Sequence, residues 1–140
     1  MFRHDVWPLL LALAVMAGEA RAAGDVVVIG NANLTRLDAG TVERIYTGRV
    51  IEVGGVPVTA VNVARGSAVR RRFLQTYVKY DDDDAYVGYW LIRKNSGLGA
   101  PPRELASSAD VIDYVKSTPG AIGYIDEADI RPDLNILLKL

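Results

Sequence analysis

The residues best placed to do chemistry stand together in "RGSAVRRR", where Gly66 and Ser67 run directly ahead of Arg70, Arg71 and Arg72. Serine after a glycine is a strong helix N-cap, so the spacing predicts a helix opening at Ser67. The first N–H groups of that helix, on Ala68 and Val69, carry the positive end of the helix dipole and suit an anion. The chemistry on offer is non-covalent: amide N–H groups, a hydroxyl and the nearby Arg65 guanidinium around an oxyanion. An ordinary serine cap after a turn glycine, with no ligand, is the other reading of the same residues. On a helical wheel Val69, Phe73, Tyr77 and Tyr80 share the inward face and Arg70 lies at its edge, where it keeps a chance of reaching an anion. Arg71 and Arg72 point to solvent, with the aspartates of residues 81–84 as available partners.

Composition removes most other chemistries. The chain has 140 residues, half of them hydrophobic, a formal charge of −1, a single histidine and no cysteine. Residues 1–22 have a short polar start with Arg3, an apolar run from Val6 to Ala17 and the small-x-small ending Ala20-Arg21-Ala22. That pattern predicts a secretory signal peptide cleaved near Ala22, with residues 23–140 as one exported domain. The histidine, His4, falls in the removed segment, so the predicted mature chain has neither His nor Cys. Ser-His-Asp and Cys-His catalysis, thiol redox chemistry, disulfides and the usual zinc sites are thereby excluded. Only carboxylates, lysines and tyrosines remain for a hydrolase, and no paired-carboxylate signature stands out; the expectation is no enzyme and no cofactor. The near-neutral balance points to neither nucleic acid nor an anionic membrane as partner.

Other motifs read as structural. The aspartates at 81–84 lack the alternating spacing of a calcium loop and suit a helix start. Gly97 and Gly99 have no Lys-Ser/Thr pair after them and make no phosphate loop. Tyr86, Tyr89 and Trp90 read as packing. Gly120 and Gly123 serve a tight helix-to-strand turn, Gly123 leaving room for close backbone approach.

These residues need elements to hold them. "DVVVIGN" is a buried strand, and "LDAGTVERIYTGR" a helix capped by Asp38, stapled by Leu37 and Val42 and closed by Gly48. "VPVTAVNV" is a second strand, the segment from Ser67 the second helix and "AYVGYWLIRK" the third. "NSGLGAPPRE" reads as a flexible loop. "SSADVIDYVKSTPG" is a fourth helix with Ser107 and Asp110 spaced as a capping box, and "AIGYID" and "LNILLKL" are strands. About four strands and four helices give a single α/β domain.

Three stretches together resemble the phosphate-type substrate-binding proteins of ABC importers, within the type II periplasmic binding-protein superfamily. They are "LDAGTVERIYTGRV", "VNVARGSAVRRRFL" and, most specifically, "VIDYVKSTPGAIGYID". The resemblance implies a periplasmic binding protein whose α/β lobes, each a mixed and mostly parallel sheet flanked by helices, close on an oxyanion such as phosphate. It places Gly66, Ser67 and the N–H groups of Ala68 and Val69 at the anion. Asn31 and Asn33, after the first strand, are read as polar contacts from a neighbouring loop. Two departures accompany it. The family's arginine a few residues before the Gly-Ser pair corresponds here to Val63, with Arg65 the nearest substitute. The chain is also the size of one lobe, which cannot clamp a ligand by hinge closure, so either the affinity is weak or a second subunit completes the cleft; an ABC permease is the implied partner. An interaction module that kept the fold and lost the ligand is the alternative.

Overall fold

The computed structural model describes residues 24–140, and the predicted signal segment lies outside the described residues. Strand β1 (Val26–Gly30) is buried at all five positions, as its unbroken β-branched run requires of a strand covered on both faces. Helix α1 (Ala39–Tyr46) opens on Asp38, whose carboxylate accepts the Thr41 N–H at 2.7 Å. Gly48 turns the chain away from its end at a φ of 74°.

The second predicted strand is interrupted. Gly54 and Gly55 join a short hairpin of β2 (Glu52–Val53) and β3 (Val56–Pro57), and β4 (Thr59–Val63) starts after Val58. The Val58 N–H instead bonds the Ile51 carbonyl at 3.0 Å, which turns the chain from hairpin into sheet. Helix α2 (Ala68–Phe73) continues into a π-helical turn, Leu74–Val78, that stops where Lys79 takes a φ of 66°. Helix α3 (Asp83–Asn95) is capped by Asp82, which accepts the Ala85 N–H at 2.7 Å.

The Gly-Pro stretch ends in a strand that local sequence patterning does not predict, β5 (Arg103–Leu105), paired with β4 through Val61↔Arg103 and Val63↔Leu105. Three residues are too few to show an alternating pattern, and β4 supplies the register. Helix α4 (Ser108–Ser117) opens on Ser107, whose hydroxyl accepts the Asp110 N–H. Strands β6 (Ala121–Asp126) and β7 (Asn135–Lys139) complete the chain.

The five-stranded sheet has the order β5-β4-β6-β1-β7. β4 runs parallel to β5 and β6, while β1 is antiparallel to β6 and β7, so β1 alone opposes a common direction. This is the mixed, mostly parallel α/β sheet that was expected. One face carries α1, α2 with its π turn, and α3. There the Phe73 ring stacks on Tyr124 at 3.8 Å between centroids and meets Tyr46 edge-on at 4.6 Å. Helix α4 covers the other face, and Gly123 makes the approach possible: a Cβ there would stand 2.6 Å from Val111 Cγ1. Gly120, with a φ of 75°, turns α4 into β6 against the Pro57 carbonyl, where a Cβ would collide.

Candidate functional site at the start of helix α2

The chain leaves the C-terminal end of β4 through Ala64, whose N–H is tied to the Leu105 carbonyl at 2.9 Å. It turns at Gly66 with a φ of 87° and enters α2 at Ser67. The Ser67 hydroxyl accepts the Arg70 N–H at 3.2 Å, the N-cap bond the sequence predicts. The N–H groups of Ala68 and Val69 have no hydrogen-bond partner among the described residues. Two unpartnered donors at a helix start form an anion-accepting position.

The surroundings are less welcoming. The open cleft at this helix start encloses about 500 Å³ and is lined by Arg65, Gly66, Ser67, Arg71 and the aspartates at 81, 82, 83 and 84. Arg65, half-exposed, is held by Asp84 at 3.1 Å and lies 3.7 Å from Asp83. It is therefore not a free substitute for the arginine that the resemblance places at Val63. Four carboxylates against two guanidiniums leave the rim net negative, which opposes an incoming oxyanion.

Arg70 departs most from the position its helical spacing predicts. It is not at a helix edge facing an anion: at 2% exposed it is among the most buried side chains of the fold. Its guanidinium donates to the Val63 carbonyl at 3.1 Å, Glu104 Oε1 at 2.8 Å and Asp83 Oδ1 at 2.9 Å, and its carbon lies 5.9 Å from the Tyr86 ring centroid. Burial pulls its proton affinity down, but Glu104 and Asp83 more than offset that and hold it above the ordinary arginine value. Its partners lie 13 and 34 residues away in sequence, beyond what helical spacing reveals. Arg72 is likewise not on a solvated face: it bonds Asp126 at 2.7 Å and the Gly24 carbonyl, tying α2 to the sheet, not to residues 81–84. Arg71 is exposed, as expected.

Asn31 and Asn33 do not join this site. They follow β1, whose reversed direction carries them to the opposite end of the sheet from Ser67. Asn31 donates to the Val115 carbonyl at 3.0 Å and the Lys116 carbonyl at 3.2 Å, closing the end of α4. Asn33 accepts the Gly120 N–H at 3.0 Å. Both amides are thus engaged in holding the α4-to-β6 turn.

Below the cleft lies a smaller cavity of about 290 Å³ between α3 and the sheet edge, walled by Tyr86, Trp90, Leu91, Pro101 and Pro102 and floored by Asn62 and Arg70. Asn62 accepts the Tyr124 O–H at 3.0 Å, and Tyr124 accepts the Val63 N–H at 3.1 Å. Burial pushes the phenols of Tyr46, Tyr86 and Tyr124 above the ordinary tyrosine range, so all three serve as neutral donors. Their hydroxyls find the carbonyls of Val61 and Tyr46 and the Asn62 amide oxygen, which brace the strand end beneath the helix start.

Comparison of the sequence with protein-family models and with curated proteins finds no match. Solved structures do match the fold. One is a protein from Clostridium perfringens, described as a phosphate ABC transporter substrate-binding protein and solved with bound phosphate. It aligns with 81% of this chain and 44% of its own, at 17% identity and a TM-score of 0.63. An ABC-type phosphate transport receptor from Vibrio cholerae matches over 81% of this chain and 46% of its own, at 16% identity and a TM-score of 0.59. PstS from Borrelia burgdorferi matches over the same shares at 18% identity and a TM-score of 0.60. At these identities the likeness is one of fold, and this chain spans less than half the length of each matched chain.

Proposed function

We propose that this chain is an exported, non-enzymatic substrate-binding protein that takes phosphate or a related oxyanion at the start of α2, in connection with ABC-type uptake or sensing. The observation that carries the reading is the pair of unpartnered N–H groups on Ala68 and Val69, behind the positive-φ turn at Gly66 and the Ser67 cap. The match to a phosphate-bound structure of the same fold supports it. Arg65 and Arg71 are the arginines that line the cleft, and no covalent step is required of any residue. The acidic rim implies weak affinity at neutral pH.

Thermal melting with phosphate and sulfate tests the reading. Anion at 100 times its dissociation constant raises stability by about 2.7 kcal/mol. A rise in melting temperature that Ser67→Ala reduces and Arg72→Ala leaves in place supports the assignment; no rise at millimolar anion overturns it.

The four carboxylates at the cleft favour a second reading, an interaction module that keeps the fold without the ligand. Under that reading Asp84→Asn leaves the protein as indifferent to phosphate as before. Under the first it strengthens phosphate binding by removing a charge from the rim.

A further inference from the structure

We infer that the outer face of α3 is the seam of a homodimer in which α3 packs antiparallel against α3 of a second copy. Such a dimer does not depend on anion binding. Helix α3 buries Tyr86 and Trp90 inward, yet its outward face carries Leu91 at 57% and Ile92 at 70% exposure, with partly buried Gly88 one turn earlier and exposed Ala85 two turns earlier. Leu98, just past the helix, is also exposed, at 59%.

Gly88 is the telling residue. Glycine weakens a helix interior, and a Cβ at 88 would meet nothing within 4 Å, so no neighbour inside this fold requires it. Together with Ala85 it makes a shallow saddle in the helix surface, where another helix backbone can approach closely.

The charges along α3 say what that second helix is. Its N-terminal end is acidic, with Asp82, Asp83 and the 93%-exposed Asp84. Its C-terminal end carries Lys94, exposed and without an ion pair among the described residues. A helix acidic at one end and basic at the other complements a reversed copy of itself. A two-fold axis near Gly88 sets Leu91 and Ile92 of each copy on the Ala85–Gly88 saddle of the other. The same axis brings Lys94 of each copy toward the acidic rim of the other's cleft, easing the charge that crowds the start of α2. A seam of about one helix face is small, which places the dissociation constant in the micromolar range, roughly 1–100 µM.

The full chain, expressed for export and purified in the form the cell delivers, is the material for the test. Sedimentation equilibrium should show a reversible monomer–dimer equilibrium. Ile92→Asp should weaken it at least tenfold, and Lys94→Glu should weaken it severalfold, without lowering the melting temperature of the monomer, since both positions are exposed. The chain has no cysteine, so Gly88→Cys reports the crossing point directly: under mild oxidation it should yield a disulfide-linked dimer, whereas Thr76→Cys should not. A protein that stays monomeric to 500 µM (about five times the weakest dissociation constant expected) overturns the inference. So does a dimer that survives Ile92→Asp, a Gly88→Cys thiol that stays free, or one that links only to a different protein.

Discussion

At the scale of single residues, Arg70 and Ser67 each have a structural part that can be measured apart from any anion. Arg70 has its positive charge answered on two sides by Asp83 and Glu104 while its guanidinium is almost wholly buried. Arg70→Met removes the cation from a site built for it and leaves the Val63 carbonyl without its donor. The expected loss is about 3 kcal/mol in urea unfolding. Glu104→Gln should cost only about 1 kcal/mol, because Glu104 is half-exposed, solvent screens the lost charge, and the amide oxygen can still accept the hydrogen bond. Equal losses would show that the Glu104 charge matters to the fold as much as the Arg70 cation does. Ser67→Ala should remove about 1 kcal/mol through the lost cap, a cost independent of any anion and measurable in phosphate-free buffer.

At the scale of elements, connections decide where groups end up. Asp38, Ser67 and Ser107 cap the helices that the sequence assigns to them, because capping is a local bond spanning about three residues; the aspartate run read only as a helix start supplies its cap through Asp82. Gly120 is also legible: a turn glycine ahead of a buried strand. Gly120→Ala combines a positive φ with a methyl driven into the Pro57 carbonyl, so a loss above about 2 kcal/mol in urea unfolding is expected. A loss near zero would mean that the turn can rearrange. What could not be read was non-local. The direction of β1 is settled by pairing with β6 and β7, and that alone separates Asn31 and Asn33 from the Ser67 site. The inward turn of Arg70 depends on carboxylates supplied by α3 and β5, and β5 exists as a strand only because β4 lies beside it. Of the predicted site, the Gly66–Val69 helix start was legible; its acidic rim and the engagement of Arg65 were not.

At the scale of the whole molecule, the sheet, the aromatic layer and the helix start form one support. Tyr46, Tyr86 and Tyr124 bond across that layer with their phenols protonated, and burial raises each above the ordinary value of 10.0. The unfolded chain ionises these groups near pH 10 and the folded chain only above that. Their contribution is therefore complete below pH 10 and declines as pH rises further. The urea midpoint should hold steady between about pH 7 and 9 and fall steeply by about pH 11, less steeply in Tyr124→Phe than in the parent. An unchanged midpoint at about pH 11 would contradict the neutral, buried state of the three phenols.

The proposed anion binding at α2 would rest on the Ala68 and Val69 N–H groups, and amide chemical shifts read them directly. In a ¹⁵N-labelled protein titrated with phosphate, the amides from Gly66 to Val69 should move along saturable curves that share one dissociation constant, while those of Asn31, Asn33 and Gly120, at the far end of the sheet, stay in place. Shifts that are linear in phosphate, or that spread equally to both ends of the sheet, would contradict it.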